Sequence, residues 1–222
     1  MTEGKKVKGG LMVVMEGLHG SGKSTQVEYL QKTLSTEGFP VVVTKEVAGT
    51  KFADDIYKLA FEEGGEAFDD PVIMTLLLAA SRASRVRKII KPMLESGGVV
   101  IADRYESSML VFQHYCQGVD ETLVRDLNKR VTMGIHADVT FVLDIHPETA
   151  HSRRMRRLQA GESLTGWDKK DFDFHTRSRE GYLKFAQIEP GWLILDGTKA
   201  EEEIADEIYN RVKELISQKN SK

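Results

Sequence analysis

Residues 13–30 read VVMEGLHGSGKSTQVEYL: an apolar run, a crowd of glycines, then a helical pattern. Glycine loses more backbone entropy on folding than any other residue, so Gly17, Gly20 and Gly22 need a reason to stand so close together. Gly17-Leu18-His19-Gly20-Ser21-Gly22-Lys23-Ser24 matches G-x-x-x-x-G-K-[ST], with a strand before it and a helix after it. Such a loop wraps phosphate groups in backbone N–H groups, and the following helix turns its positive end toward the anion. The motif sends Lys23 to the β- and γ-phosphates of a nucleoside triphosphate and the Ser24 hydroxyl to Mg²⁺.

Working outward, LMVVM (11–15), VVVT (41–44), VVIAD (99–103), VTFVLD (139–144) and WLILD (192–196) predict strands, each apolar on both faces. Amphipathic stretches lie between them. Val27, Leu30 and Leu34 share one helical face, a second helix covers 71–95 and the last covers 201–218. Strand–helix alternation implies an α/β fold with a parallel sheet and right-handed crossovers. With no repeat and no low-complexity linker, residues 1–222 read as one domain. One segment breaks the rhythm: HSRRMRRLQAGESLTGWDKKDFDFHTRSREGYL (151–183) has basic clusters on both sides of a polar stretch. It reads either as a solvated helix pair or as a lid, the lid spanning 151–171.

The chain has 222 residues and a net charge of -3, so it is large enough for a sizeable core and is not globally basic, which argues against a duplex nucleic-acid partner. Its single cysteine, Cys116, allows no intrachain disulfide; a cytoplasmic setting fits, and the thiol reads as a small buried hydrophobe. LMVVM is too short for a membrane span.

The phosphate loop alone leaves open a switch GTPase, a mechanical ATPase or a small-molecule kinase. A Ras-like GTPase needs N-K-x-D to read guanine, and NKR (128–130) lacks the Asp. Mechanical ATPases need domains this length does not carry. VVIADRYESSMLVFQ (99–113) puts Asp103 and Arg104 at the C-terminal end of a buried strand, where open α/β sheets bind ligands. A carboxylate there suits Mg²⁺ and a guanidinium suits a second phosphate group. In this stretch the chain resembles the thymidylate kinases, whose pattern is close to D-R-Y-x-x-S-x-x-A-Y-Q. MEGLHGSGKST (15–25), TKEVAGT (44–50), LLLAASRASRVRKIIKPML (76–94), FVLDIHPE (141–148) and DFDFHTRSREGYL (171–183) resemble further segments of that family, in order.

The resemblance implies a three-layer P-loop NTPase fold, with a five-stranded parallel sheet flanked by helices and a short lid. It implies transfer of the γ-phosphoryl of ATP, with Mg²⁺, to dTMP, giving dTDP and ADP on the way to dTTP. It also implies a homodimer with no nucleic-acid or membrane partner. Gly17, Leu18, His19, Gly20, Ser21, Gly22, Lys23, Ser24 and Thr25 would hold the ATP phosphates, and Ser24 and Asp103 the metal. Lys23, Asp103, Arg104 and Arg153 would carry catalysis, with Arg104 gripping the acceptor phosphate. Arg82 would hydrogen-bond the thymine edge, and Glu46, Leu78, Ser108, Phe112 and Gln113 would complete the acceptor site. Glu16 would reach the metal or the acceptor through water.

Departures from the family cluster at the acceptor. Phe112 keeps the ring of the usual Tyr without its hydroxyl, Leu78 replaces the Phe that stacks on thymine, and Met109 replaces a polar side chain. Lys45 and Val47 stand for Arg and Pro, and WDKKD (167–171) is a loose counterpart of D-R-x-E. Gly20 occupies the place of a P-loop arginine found in some members. Cationic cover then falls to Arg153, Arg154, Arg156 and Arg157, of which Arg153 matches the family pattern best. Two other readings compete: a sibling kinase acting on another nucleotide or a nucleoside, and a non-catalytic nucleotide-binding protein.

Overall fold

The computed structural model describes residues 5–61, 69–161, 167 and 170–221. β1 (Leu11–Gly17), β2 (Val41–Lys45), β3 (Val99–Asp103), β4 (Val139–Asp144) and β5 (Trp192–Asp196) form one all-parallel sheet in the order β2-β3-β1-β4-β5. Nine α-helices are described: α1 (Lys23–Thr36), α2 (Lys51–Phe61), α3 (Pro71–Arg85), α4 (Lys91–Glu95), α5 (Glu106–Met109), α6 (Glu121–Thr132), α7 (Pro147–Gln159), α8 (Phe172–Ile188) and α9 (Glu201–Ser221).

The sheet is the middle of three layers because successive strand residues point to opposite faces. Leu11, Val13 and Met15 of β1 pack with Val27, Leu30 and Leu34 of α1 and with Ile204, Ile208, Val212 and Ile216 of α9. Met12 and Val14 face the other way, toward Val86, Ile90 and Tyr105. Coverage on both faces holds for β1, β3 and β4. It fails at the edges: Leu193 and Ile194 of β5 are 37% and 46% exposed, and Val41 to Val43 of β2 are only half-buried. Strand order, which hydropathy does not encode, decides which apolar runs end up central.

Asp70 caps α3 by accepting from the backbone N–H groups of Val72 and Ile73, with Pro71 in the first turn. The helix predicted over 71–95 is interrupted by a π-helical stretch, Val86–Ile90, between α3 and α4. Pro92 gives the physical reason, since it cannot donate to the carbonyl four residues back and its ring crowds that carbonyl. A second π-helical stretch, Leu110–Cys116, follows α5 and carries Phe112 and Gln113. Cys116 is buried, and burial pushes its thiol up to about 11, which keeps it protonated. The basic segment begins as a helix, α7, and resumes as α8; residues 162–166, 168 and 169 of the expected lid lie outside the described residues. No described helix is long and apolar enough to cross a membrane.

Candidate active site

The C-terminal ends of β1, β3 and β4 converge on a cavity of ≈ 740 Å³. At one end lies the loop after β1. Its glycines are demanded by packing as much as by any phosphate. A Cβ on Gly17 would sit 2.5 Å from the Leu143 carbonyl of β4, and one on Gly20 would sit 2.8 Å from the Ala150 carbonyl of α7. Both residues have positive φ, 131° and 87°. Lys23 is 7% exposed and folds back so that Nζ donates to the carbonyls of Gly17 (3.2 Å) and Leu18 (2.9 Å). Residues 19–25 line the cavity, whereas Leu18 packs inward against Ile145 and Ala150.

β3 brings the second set of groups. Asp103 and Arg104 line the same cavity, and the Ser24 hydroxyl lies 3.5 Å from Asp103 Oδ2. Arg104 has a left-handed backbone (φ 73°), and its N–H donates to the Met15 carbonyl. Nη2 donates to the Gly17 carbonyl at 3.0 Å, and Nη1 donates to Glu16 Oε2 at 3.1 Å and to the Tyr182 hydroxyl at 2.6 Å. Burial alone would lower the Arg104 pKa, yet Tyr182, Glu16 and Asp103 hold it above the ordinary value, so the guanidinium stays charged.

Glu16 is fully buried, and its carboxylate accepts from Arg104, the Tyr105 backbone N–H, the Ser107 and Ser108 hydroxyls and the Tyr182 hydroxyl. In this state it anchors Arg104 and the turn after β3. Tyr182 sits on α8, and burial drives its pKa well up, so its hydroxyl stays a donor to Glu16 at 2.7 Å.

Arg82 of α3 lines the cavity but is enclosed: its terminal nitrogens donate to Asn128, to Met109 Sδ, to Glu46 Oε2 and to the Tyr105 carbonyl. Glu46 is shared, because its other oxygen accepts from Arg85 at 2.7 Å. Leu78, Ser108, Phe112 and Gln113 line the same wall. Gln113 is 0% exposed, and neither its Oε1 nor its Nε2 has a hydrogen-bond partner among the described residues.

α7 carries the arginines. Arg153, Arg154, Arg156 and Arg157 all line the cavity. Arg153 Nη2 donates to the Gly197 carbonyl at 3.2 Å. Arg154 is buried, with Nη1 2.7 Å from His175 Nε2, and its Cγ would lie 3.3 Å from a Cβ on Gly20. The room that a side chain at residue 20 would need is thus filled by α7. His19 stands in the same cationic group, and burial, then the charges of Arg104 and Lys23, hold its pKa well below the usual histidine value.

The sequence model of the thymidylate kinase family matches residues 15–208. The chain belongs to that family. A thymidylate kinase of Halothermothrix orenii is 38% identical over 208 residues, covering 92% of this chain and 97% of that protein. Thymidylate kinases of Deinococcus radiodurans (35% over 206 residues) and of a Sulfurihydrogenibium species (36% over 207) are similar over 92% of this chain as well. A thymidylate-kinase fold therefore surrounds the cavity, and the chain is an enzyme of that family.

Several residues around the site carried no readable signal in the sequence. Tyr182 meets Glu16 across 166 residues of chain, and Arg85 shares the 76–94 segment with Arg82 but has no role implied by the resemblance. Asn128, the first residue of the NKR stretch that lacks the guanine-reading Asp, accepts from Arg82 and donates to the Glu106 carbonyl. Gly197, Lys199, Glu201 and Ile204 bring the β5–α9 connection to the cavity; only its place after a strand hinted at that.

Proposed function

We infer that this cavity carries transfer of the γ-phosphoryl group of ATP to dTMP, giving ADP and dTDP. The observation that carries the reading is a single cavity in which the Lys23–Ser24 loop meets Asp103 and Arg104. In-line phosphoryl transfer needs two polyanions brought together and their charge covered, with little covalent work for the protein. Residues 17–25 bind the donor phosphates through backbone N–H groups, and Lys23 exchanges its loop carbonyls for phosphate oxygens. Arg104, held charged by Glu16 and Tyr182, takes the acceptor phosphate. Gln113 offers a donor and an acceptor side by side, which matches one edge of a pyrimidine. Leu78 and Phe112 supply apolar contact for the base and the deoxyribose.

Mg²⁺ fits the residues present. A hydroxyl and a carboxylate 3.5 Å apart are hard oxygen donors, and Mg²⁺ is normally held by one or two such groups plus substrate phosphates. Ser24 and Asp103 would hold it, and it would neutralise phosphate charge. Two copies of the chain associate through the α2–α3 face, where Phe52, Val72, Ile73 and Leu76 are 45–50% exposed. A cytoplasmic location accords with the single buried thiol.

The test is ATP consumption with a panel of nucleosides and nucleoside monophosphates. dTMP should be the best acceptor and dUMP next, because a missing methyl costs only about 1–3 kcal/mol. Purine or cytosine nucleotides outranking both would replace dTMP as the acceptor. Consumption with no acceptor in the panel would end the kinase reading.

A further inference from the structure

The apolar end of the cavity contains a residue, the first of WDKKD, to which the resemblance assigns no role. Trp167 lines the cavity and is 8% exposed, in one buried cluster with Leu78, Met109, Phe112 and Tyr182. Its indole stacks on Phe112 (centroids 5.4 Å apart, planes 29° apart) and on Phe174 (5.6 Å, 9°), and meets the edge of Phe61 at 5.8 Å. Phe112 and Phe174 are themselves 5.8 Å apart, so the three centroids form a nearly equilateral triangle. The two phenyl rings therefore approach the indole from one side and do not sandwich it. Phe112 in turn lies under Arg104, whose guanidinium carbon is 4.9 Å from the ring centroid. An aromatic row runs from Trp167 to the arginine assigned to the acceptor phosphate.

Leu78 gives this wall area but no π face, whereas a pyrimidine gains from an aromatic partner beyond simple burial. Trp167 is the large aromatic surface at the same end of the cavity. It belongs to the acceptor side, because its ring neighbours stand on α2, the second π-helical stretch and α8. The β5–α9 connection lies instead beside the phosphate loop, where Gln26 Nε2 donates to the Glu201 carbonyl and a Cβ on Gly197 would sit 3.5 Å from the Ser21 carbonyl. We propose that Trp167 forms the aromatic wall against which the acceptor's pyrimidine and deoxyribose lie, and so helps set acceptor specificity. This rests on dTMP being the acceptor.

The chain has two tryptophans, Trp167 and Trp192, so Trp192→Phe leaves Trp167 as the only indole emitter. In that background dTMP should shift the emission saturably, with a midpoint near its KM, while ATP alone leaves it unmoved. Trp167→Leu should raise the KM for dTMP about tenfold, with kcat and the KM for ATP within about twofold of wild type. Trp167→Phe should recover most of the loss. Emission that ignores dTMP overturns the proposal. So does a folded Trp167→Leu protein whose KM for dTMP is unchanged, or whose kcat alone falls. Should Trp167→Leu fail to fold, Trp167→Phe and the emission titration decide. Failure of the wild-type enzyme to phosphorylate dTMP would instead remove the acceptor reading.

Discussion

Arg104 and Glu16 form a buried ion pair that the Tyr182 hydroxyl bridges, alongside the Ser107 and Ser108 hydroxyls, the Tyr105 N–H and the Gly17 carbonyl. Removing one member of a buried network leaves the others desolvated and short of a partner, which costs about 1–3 kcal/mol. Tyr182→Phe should therefore lower stability by that amount in urea unfolding. It should also raise the KM for the acceptor more than that for ATP, since it loosens Arg104. Equal effects on both substrates would detach Tyr182 from acceptor binding. His19 gives a pH signature. Its folded-state pKa is depressed by burial and by Arg104, Lys23, His175 and Arg154, so the unfolded chain binds the proton more readily. Stability is then full above the ordinary histidine pKa of about 6.5 and declines as pH falls from there toward the depressed value. The urea midpoint of wild type minus that of His19→Gln should fall between about pH 7 and about pH 5. A pH-independent difference would mean that His19 carries no such penalty.

At the scale of elements, α7 is fitted against the phosphate loop. Ala150 and Arg154 occupy the space beside Gly20, so this helix and a side chain at residue 20 exclude each other. Of its arginines, Arg154 is buried against His175, whereas Arg153, among the described residues, donates to the Gly197 carbonyl. Arg153 thus has the weaker commitment to the fold and the freer reach toward a phosphoryl group. If Arg153 covers the transferring phosphoryl group, Arg153→Ala should lower kcat by on the order of 10²-fold while barely changing ATP affinity. Arg154→Ala should show chiefly as a lower melting temperature. Thermal unfolding measured beside steady-state kinetics separates the two, and the reverse pattern would give the catalytic role to Arg154.

For the whole molecule, the sheet covers its own centre but leaves an apolar face on α2 and α3. Phe52 is 47%, Val72 45%, Ile73 45% and Leu76 50% exposed. We propose this face as the interface between two copies of the chain. Leu76→Glu should shift a dimer toward monomer in sedimentation velocity at micromolar concentration, with ATP affinity retained. An unchanged sedimentation coefficient would move the interface elsewhere.

What the sequence determined by itself is local. The phosphate loop needs about eight consecutive residues in one backbone conformation, so its glycines, Lys23 and Ser24 can be read directly. Asp103 and Arg104 were legible because they end an apolar strand, and the five strands and α1 were legible from their periodicity. Tertiary structure decided the partners. Glu16 finds Tyr182 across 166 residues and Arg82 finds Asn128 across 46, and no periodicity links such pairs. It also decided that β5 lies at an edge with Ile194 exposed, that Pro92 is accommodated by a π-helical stretch, and that α7 fills the space beside Gly20. A buried polar group must be satisfied by whatever element packs against it, and that neighbour is chosen by the order of strands and helices in space.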